Sequence, residues 1–248
     1  MAQKEQVPQW VTSLINENKG LIDSANWYNP HPDAPNYRTY VIYYNQPLYH
    51  NDPQSNRFPL RALITVDTRN DVTKAINHVY ASGYAIEYSN LANPDSMLAH
   101  DKGGEVEIAK RYKANYILIE HRYFQYSAPD ECWKNLDPLT AEEAAADFHN
   151  LFDGLKKVLK GKWVMSGVSK GGITTLLQHT FYPEDMDVLC RTRRRSSIAR
   201  KIQLCTSIGT TTDGIKSTSI ISCRFVRRVW RVFSQIRERT LYGLFIIR

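Results

Sequence analysis

Residues 165–177, MSGVSKGGITTLL, set Ser169 between glycines where an apolar run gives way to a helical pattern. Gly167-Val168-Ser169-Lys170-Gly171 satisfies Gly-x-Ser-x-Gly, a pattern that demands a strand-to-helix turn so tight that the serine takes a strained backbone conformation. Gly167, Gly171 and Gly172 then let strand and helix pass without side-chain clashes. Such a turn lifts Ser169 Oγ above a sheet and points the Lys170 N–H to where an oxyanion would sit. The alternative is a glycine-rich turn whose serine merely caps the helix. The flanking patterns favour the nucleophile: KWVMSGV has the length of a buried strand, and ITTLLQHTFY reads as a helix stopped by Pro183.

The rest of the chain supplies the layers such a turn needs. TYVIYY and LRALITVDT are β-rich runs separated by the turn formers of YHNDPQSN, and predict a hairpin or two neighbouring strands. VTKAINHVYASGYAIEYS predicts a helix that stops at Gly83 before a short strand, and EVEIAKRYK a second helix ending at Lys113. YILIEH is an almost unbroken apolar run, expected as a strand buried on both faces of a parallel sheet. Thr140 and Glu143 have capping-box spacing before a helix whose Ala144, Phe148, Leu151, Phe152 and Leu155 repeat on one face. This alternation is the crossover pattern of an α/β fold.

Charge divides the chain. Up to Val188 there are 18 Lys+Arg against 23 Asp+Glu, and from Leu189 onward 14 basic residues face only Asp213 and Glu238. The expected organisation is therefore an N-terminal extension over 1–39, a partial α/β domain over 40–188 and a basic tail over 189–248. No stretch has the eighteen or so consecutive apolar residues of a membrane span, and Met1–Gly20 lacks the apolar centre of an export signal. Cys132 stands apart from Cys190, Cys205 and Cys223, without the close pairs of a zinc site, so neither metal nor disulfide is assigned.

Glu120-His121-Arg122-Tyr123 ends the YILIEH strand. In an α/β-hydrolase the loop after the third strand supplies the other oxyanion donor, which places Arg122 and Tyr123 as candidate pocket residues. His121 precedes the serine, the wrong order for a base in this fold, and is expected to be structural beneath the site, flanked by Glu120 and Arg122 either as a buried ion pair or as a surface strand end. ILIEHRYF, LTAEEAAADFHNLFDGLKK and GKWVMSGVSKGGITTLLQHTFYPEDMDV together resemble the bacterial secreted serine tripeptidyl aminopeptidases, relatives of lysosomal prolyl carboxypeptidase. The resemblance covers about Arg57 to Val188. It implies an α/β-hydrolase with a helical cap after the nucleophile, a Ser-Asp-His triad, and release of short peptides from a free amino terminus by a secreted or periplasmic enzyme without a cofactor. Carried over, Ser169 is the nucleophile, the Lys170 N–H an oxyanion donor, and the Arg122–Tyr123 loop part of the pocket wall.

The resemblance fades where the triad should be completed. Of the seven histidines only His179 follows Ser169, and ten residues of helix put it about 15 Å away. After FYPEDMDV the family continues into a buried strand, whereas this chain gives LCRTRRRSSIARKIQLCTSIG. The fold expected is thus a truncated α/β-hydrolase with a tail that is out of frame or poorly ordered, and the chain is expected to be inactive for want of triad Asp and His. An esterase or lipase on the same scaffold is the alternative enzyme. A protein binding through RFVRRVWRVFSQIRERTLYGLF is the non-enzymatic one. The expected partners are peptides with a free amino terminus, with no nucleic acid and no membrane span; nothing in the sequence sets the oligomeric state.

Overall fold

The computed structural model describes residues 7–22, 25–27, 35–86, 107–130, 132–192 and 205–207. Its strands are β1 (Ala25–Trp27), β2 (Tyr37–Pro47), β3 (Arg57–Asp67), β4 (Asn77–Ala81), β5 (Asn115–Ile119), β6 (Trp163–Val168), β7 (Val188–Thr192) and β8 (Cys205–Ser207). Its helices are α1 (Gln9–Glu17), α2 (Glu107–Tyr112), α3 (Ala141–Lys156) and α4 (Lys170–Phe181). The strands form one sheet in the order β1-β2-β3-β5-β4-β6-β7-β8. β1, β2, β3 and β5 pair antiparallel in succession, whereas β5-β4-β6-β7 run parallel. An antiparallel start, a crossed pair of strands and a parallel run that ends in the strand-to-helix turn at Ser169 make this an α/β-hydrolase sheet. No helix among the described residues is long and apolar enough to cross a membrane.

Both sheet faces are covered, which is why the parallel strands read as continuous apolar runs. One face packs Val79, Ile117, Ile119 and Met165 against Phe148, Leu151, Phe152 and Leu155 of α3, and α1 adds Val11 and Leu14. On the other, Leu63, Tyr80, Tyr116 and Leu118 join Ala109 of α2. The expected hairpin is present, with Tyr37–Pro47 in register against Arg57–Asp67.

The helix expected through residues 72–83 is instead β4. All five residues Asn77–Ala81 are buried; a strand hidden on both faces loses its alternation, and its sequence then imitates a helix. Thr140 Oγ1 caps α3 by accepting from the Glu143 N–H at 3.1 Å. The reciprocal half of the capping box is replaced by a tertiary contact, because Glu143 Oε2 accepts from the His50 backbone N–H at 3.0 Å and lies 2.5 Å from its Nδ1.

The sheet also draws on residues beyond the expected limits at 40 and 188. β1 and α1 lie before the first, and β7 crosses the second with Leu189 and Cys190 buried. Cys190 is disulfide-bonded, a correction to the sequence expectation that assigned no disulfide. The expectation of an out-of-frame or disordered tail otherwise falls on residues 193–204 and 208–248, outside those described.

Candidate active site

β6 ends at Val168 and α4 begins at Lys170, with Ser169 alone between them at φ 58°, ψ −120°. For a residue with a Cβ this backbone costs about 1–3 kcal/mol, so the surroundings must enforce it. They do so through glycine: a Cβ on Gly167 would strike the Gly171 backbone, and one on Gly171 would strike the Ala81 carbonyl at the end of β4. Ser169 is exposed, and no hydrogen bond from its hydroxyl is found among the described residues.

The sheet order decides which loop faces this turn. β4, not β5, is hydrogen-bonded to β6, so the loop that meets the elbow is Ser82-Gly83-Tyr84. Gly83 adopts φ 75°, and a Cβ there would come within 3.0 Å of Gly171 N and Lys170 Cγ. Sequence reading chose the loop after β5 because β5 carries the stronger apolar run. The signal it passed over was the Ser-Gly pair after HVYA.

The loop after β5 is held by two buried ion pairs, not one. Glu120, fully buried, lies 2.5 Å from Arg61 Nη2 and accepts from the Ile86 N–H at 3.0 Å, the Ser127 N–H at 3.1 Å and Ser127 Oγ at 3.0 Å. Arg122 binds Asp147 of α3 through Nε at 2.6 Å and Nη2 at 2.8 Å, and donates to the Pro138 carbonyl at 2.6 Å. Its guanidinium is fully buried, so the Arg122 side chain is a strut, not the pocket wall the resemblance implies. Tyr123 sits at φ 69° and Gln125 at φ 38°. The Tyr123 N–H donates to the Ser127 carbonyl at 2.9 Å and its hydroxyl to the Asn135 carbonyl at 2.7 Å; burial pushes the phenol up to about 12.

His121 is structural in its contacts. Its Nδ1 lies 2.9 Å from the Arg122 carbonyl, its N–H donates to the Tyr84 carbonyl at 3.1 Å, and its ring meets Phe124 edge-on. Burial, with the nearby Lys170 cation, lowers its pKa to about 4. The ammonium of Lys170 donates to the Gly83 carbonyl and lies 4.6 Å from the centroid of Tyr84 and 4.8 Å from that of Phe124. Its pKa falls to about 8, through burial.

A serine–imidazole pair does exist, on a different serine. His78 Nε2 lies 2.8 Å from Ser166 Oγ, but His78 is fully buried in β4 and Ser166 is inside β6; burial holds the imidazole neutral, with its pKa down at about 3. No described histidine contacts Ser169, and His179 lies in the last turn of α4. The described residues that bring metal-ligand types together are His149, Asp153 and Asp185. There the His149 Nδ1 already lies 2.9 Å from Asp185, while Gln178 Nε2 donates to the same carboxylate at 2.6 Å and Lys156 stands 3.7 Å off. That carboxylate is satisfied by protein groups.

The chain matches the family described as PS-10 peptidase S37 over residues 25–201. It is 31% identical over 153 residues to the prolyl tri/tetrapeptidyl aminopeptidase of Streptomyces mobaraensis, an alignment that covers 61% of this chain and 28% of that protein. Solved structures with a similar trace include a peroxisomal α/β-hydrolase from Saccharomyces cerevisiae, at TM-score 0.43 and 15% identity over 66% of this chain and 48% of that one. Lipase A of Candida antarctica gives TM-score 0.45 at 11% identity, over 75% and 44% of the two chains.

Proposed function

We propose, given that this chain belongs to the PS-10 peptidase S37 family, that it carries the nucleophile half of a serine peptidase whose whole form removes short peptides from free amino termini. The observation that supports this reading most is the backbone of Ser169, a non-glycine residue forced to φ 58°, ψ −120° at a strand-to-helix turn with its hydroxyl exposed. In acyl transfer Ser169 Oγ attacks the scissile carbonyl while a base removes its proton. The Lys170 N–H and an N–H of the Ser82–Ile86 loop receive the negative oxygen; the base returns the proton to the amine of the remaining chain, which leaves as the C–N bond breaks, the short amino-terminal peptide stays on Ser169 as an ester, and water cleaves that ester to release the peptide and restore the hydroxyl.

Within these 248 residues no histidine follows His179, so no downstream imidazole is at hand to act as base, and these residues by themselves are expected to be inactive. The serine without its base loses about six orders of magnitude. Intact-mass analysis after exposure to a fluorophosphonate, with Ser169→Ala alongside, tests both statements. Labelling about 10⁶-fold slower than in complete serine hydrolases is expected. Full-rate labelling abolished by Ser169→Ala would show that a base is present after all, and labelling that survives Ser169→Ala would remove the serine from its role. A form extended with the family's downstream acid and histidine is expected to cleave peptides with free amino termini; turnover of short esters alone would favour the esterase reading.

A further inference from the structure

Three segments must meet for an acyl oxygen to be held over Ser169: the elbow, the loop after β4, and the strained loop after β5. The two loops are joined to each other by the His121 N–H on the Tyr84 carbonyl at 3.1 Å and by the Ile86 N–H on Glu120 Oε1 at 3.0 Å, and neither bond reaches the nucleophile turn. The group that touches all three is a side chain. Lys170, the first residue of α4, donates to the Gly83 carbonyl, faces Tyr84 at 4.6 Å and faces Phe124 at 4.8 Å. The two rings also meet each other edge-on at 5.9 Å.

We propose that Lys170 is a positioning residue: the cation it seats between Tyr84 and Phe124 fixes the loops after β4 and β5 against the nucleophile turn, and so sets where the second oxyanion donor stands. The titratable groups facing it are Tyr84 and His121, and no described carboxylate pairs with it. An ammonium without a carboxylate is held here by ring faces and one carbonyl, the arrangement in which a partly desolvated cation–π contact is strongest. A pKa of about 8 leaves this group charged at pH 7. Alkyl length without charge would fill the same space but give the rings nothing to converge on.

The inference rests on reading Ser169 as the nucleophile, yet its test needs no reaction, so either can fail while the other stands. Hydrogen exchange at pH 7, read by mass spectrometry on the full chain, compares Lys170→Met with Lys170→Arg. Exchange over 82–86 and 120–128 is expected to quicken roughly tenfold in Lys170→Met. It should stay within about twofold of the parent in Lys170→Arg, with β2 and β3 unchanged in both. Unchanged exchange in Lys170→Met, or equal loosening by Lys170→Arg, overturns the proposal. If Lys170→Met also loses protection in β2 and β3, Phe124→Leu decides, since it keeps the lysine and removes one ring: faster exchange over 82–86 supports the clamp, and parental exchange there overturns it.

Discussion

Ser169 is held in a backbone region that side chains avoid, and the strain belongs to the residue itself, since its Cβ is what the region penalises. Ser169→Gly removes that penalty while losing the hydroxyl. It is therefore expected to raise stability by about 1 kcal/mol, seen as a rise of about 2 °C in the thermal midpoint. An unchanged or lower midpoint would mean that the turn is relaxed with serine in it. At this scale the sequence was informative, because Gly-x-Ser-x-Gly states a local steric requirement that three consecutive elements must meet. The same scale explains what it hid: Tyr84 and Phe124 are separated from Lys170 by 86 and 46 positions, and no local pattern marks a ring that will face a cation.

Between elements, the buried carboxylates act as bolts. Asp147 fastens α3 to the loop after β5 through Arg122, both groups being within 1% of full burial. Asp147→Ala leaves a guanidinium buried without its counter-charge and is expected to cost about 3–5 kcal/mol in denaturant unfolding. A cost below about 1 kcal/mol would mean that the Pro138 carbonyl and the Leu48 carbonyl, which accepts from Arg122 Nη1 at 3.2 Å, suffice. The sequence predicted α3 closely, because its apolar face repeats cleanly and Thr140 marks its start. It erred on β4, where burial on both faces erased alternation, and consequently on which loop borders the elbow. Glu120 and Arg122 stand two apart, a spacing that would put them on one face of a strand; both lie just past the end of β5 at Ile119, where the chain leaves strand geometry, and Glu120 pairs with Arg61 while Arg122 pairs with Asp147.

At the level of the whole molecule, two imidazoles are buried in uncharged form on or beside the central strands. His78 and His121 have folded pKa values of about 3 and about 4, below the roughly 6.5 of an unfolded chain. The unfolded state then binds more protons throughout that interval, so stability is full above about pH 6.5 and falls as pH drops toward 4. Each histidine contributes up to about 1.4 kcal/mol per pH unit. Chemical denaturation between pH 7.5 and 4.5 should show the decline, and His78→Gln should flatten it; a profile that is level or rises on acidification would show that these rings accept protons in the fold.

The far edge of the sheet has a consequence of its own. β8 lies antiparallel on β7 through Cys205, Thr206 and Ser207, and it fills the hydrogen-bonding groove that a further parallel strand would need. Any other strand seeking to pair with β7 at this edge must first evict that three-residue guest, so the edge is closed to simple strand addition while β8 is in place.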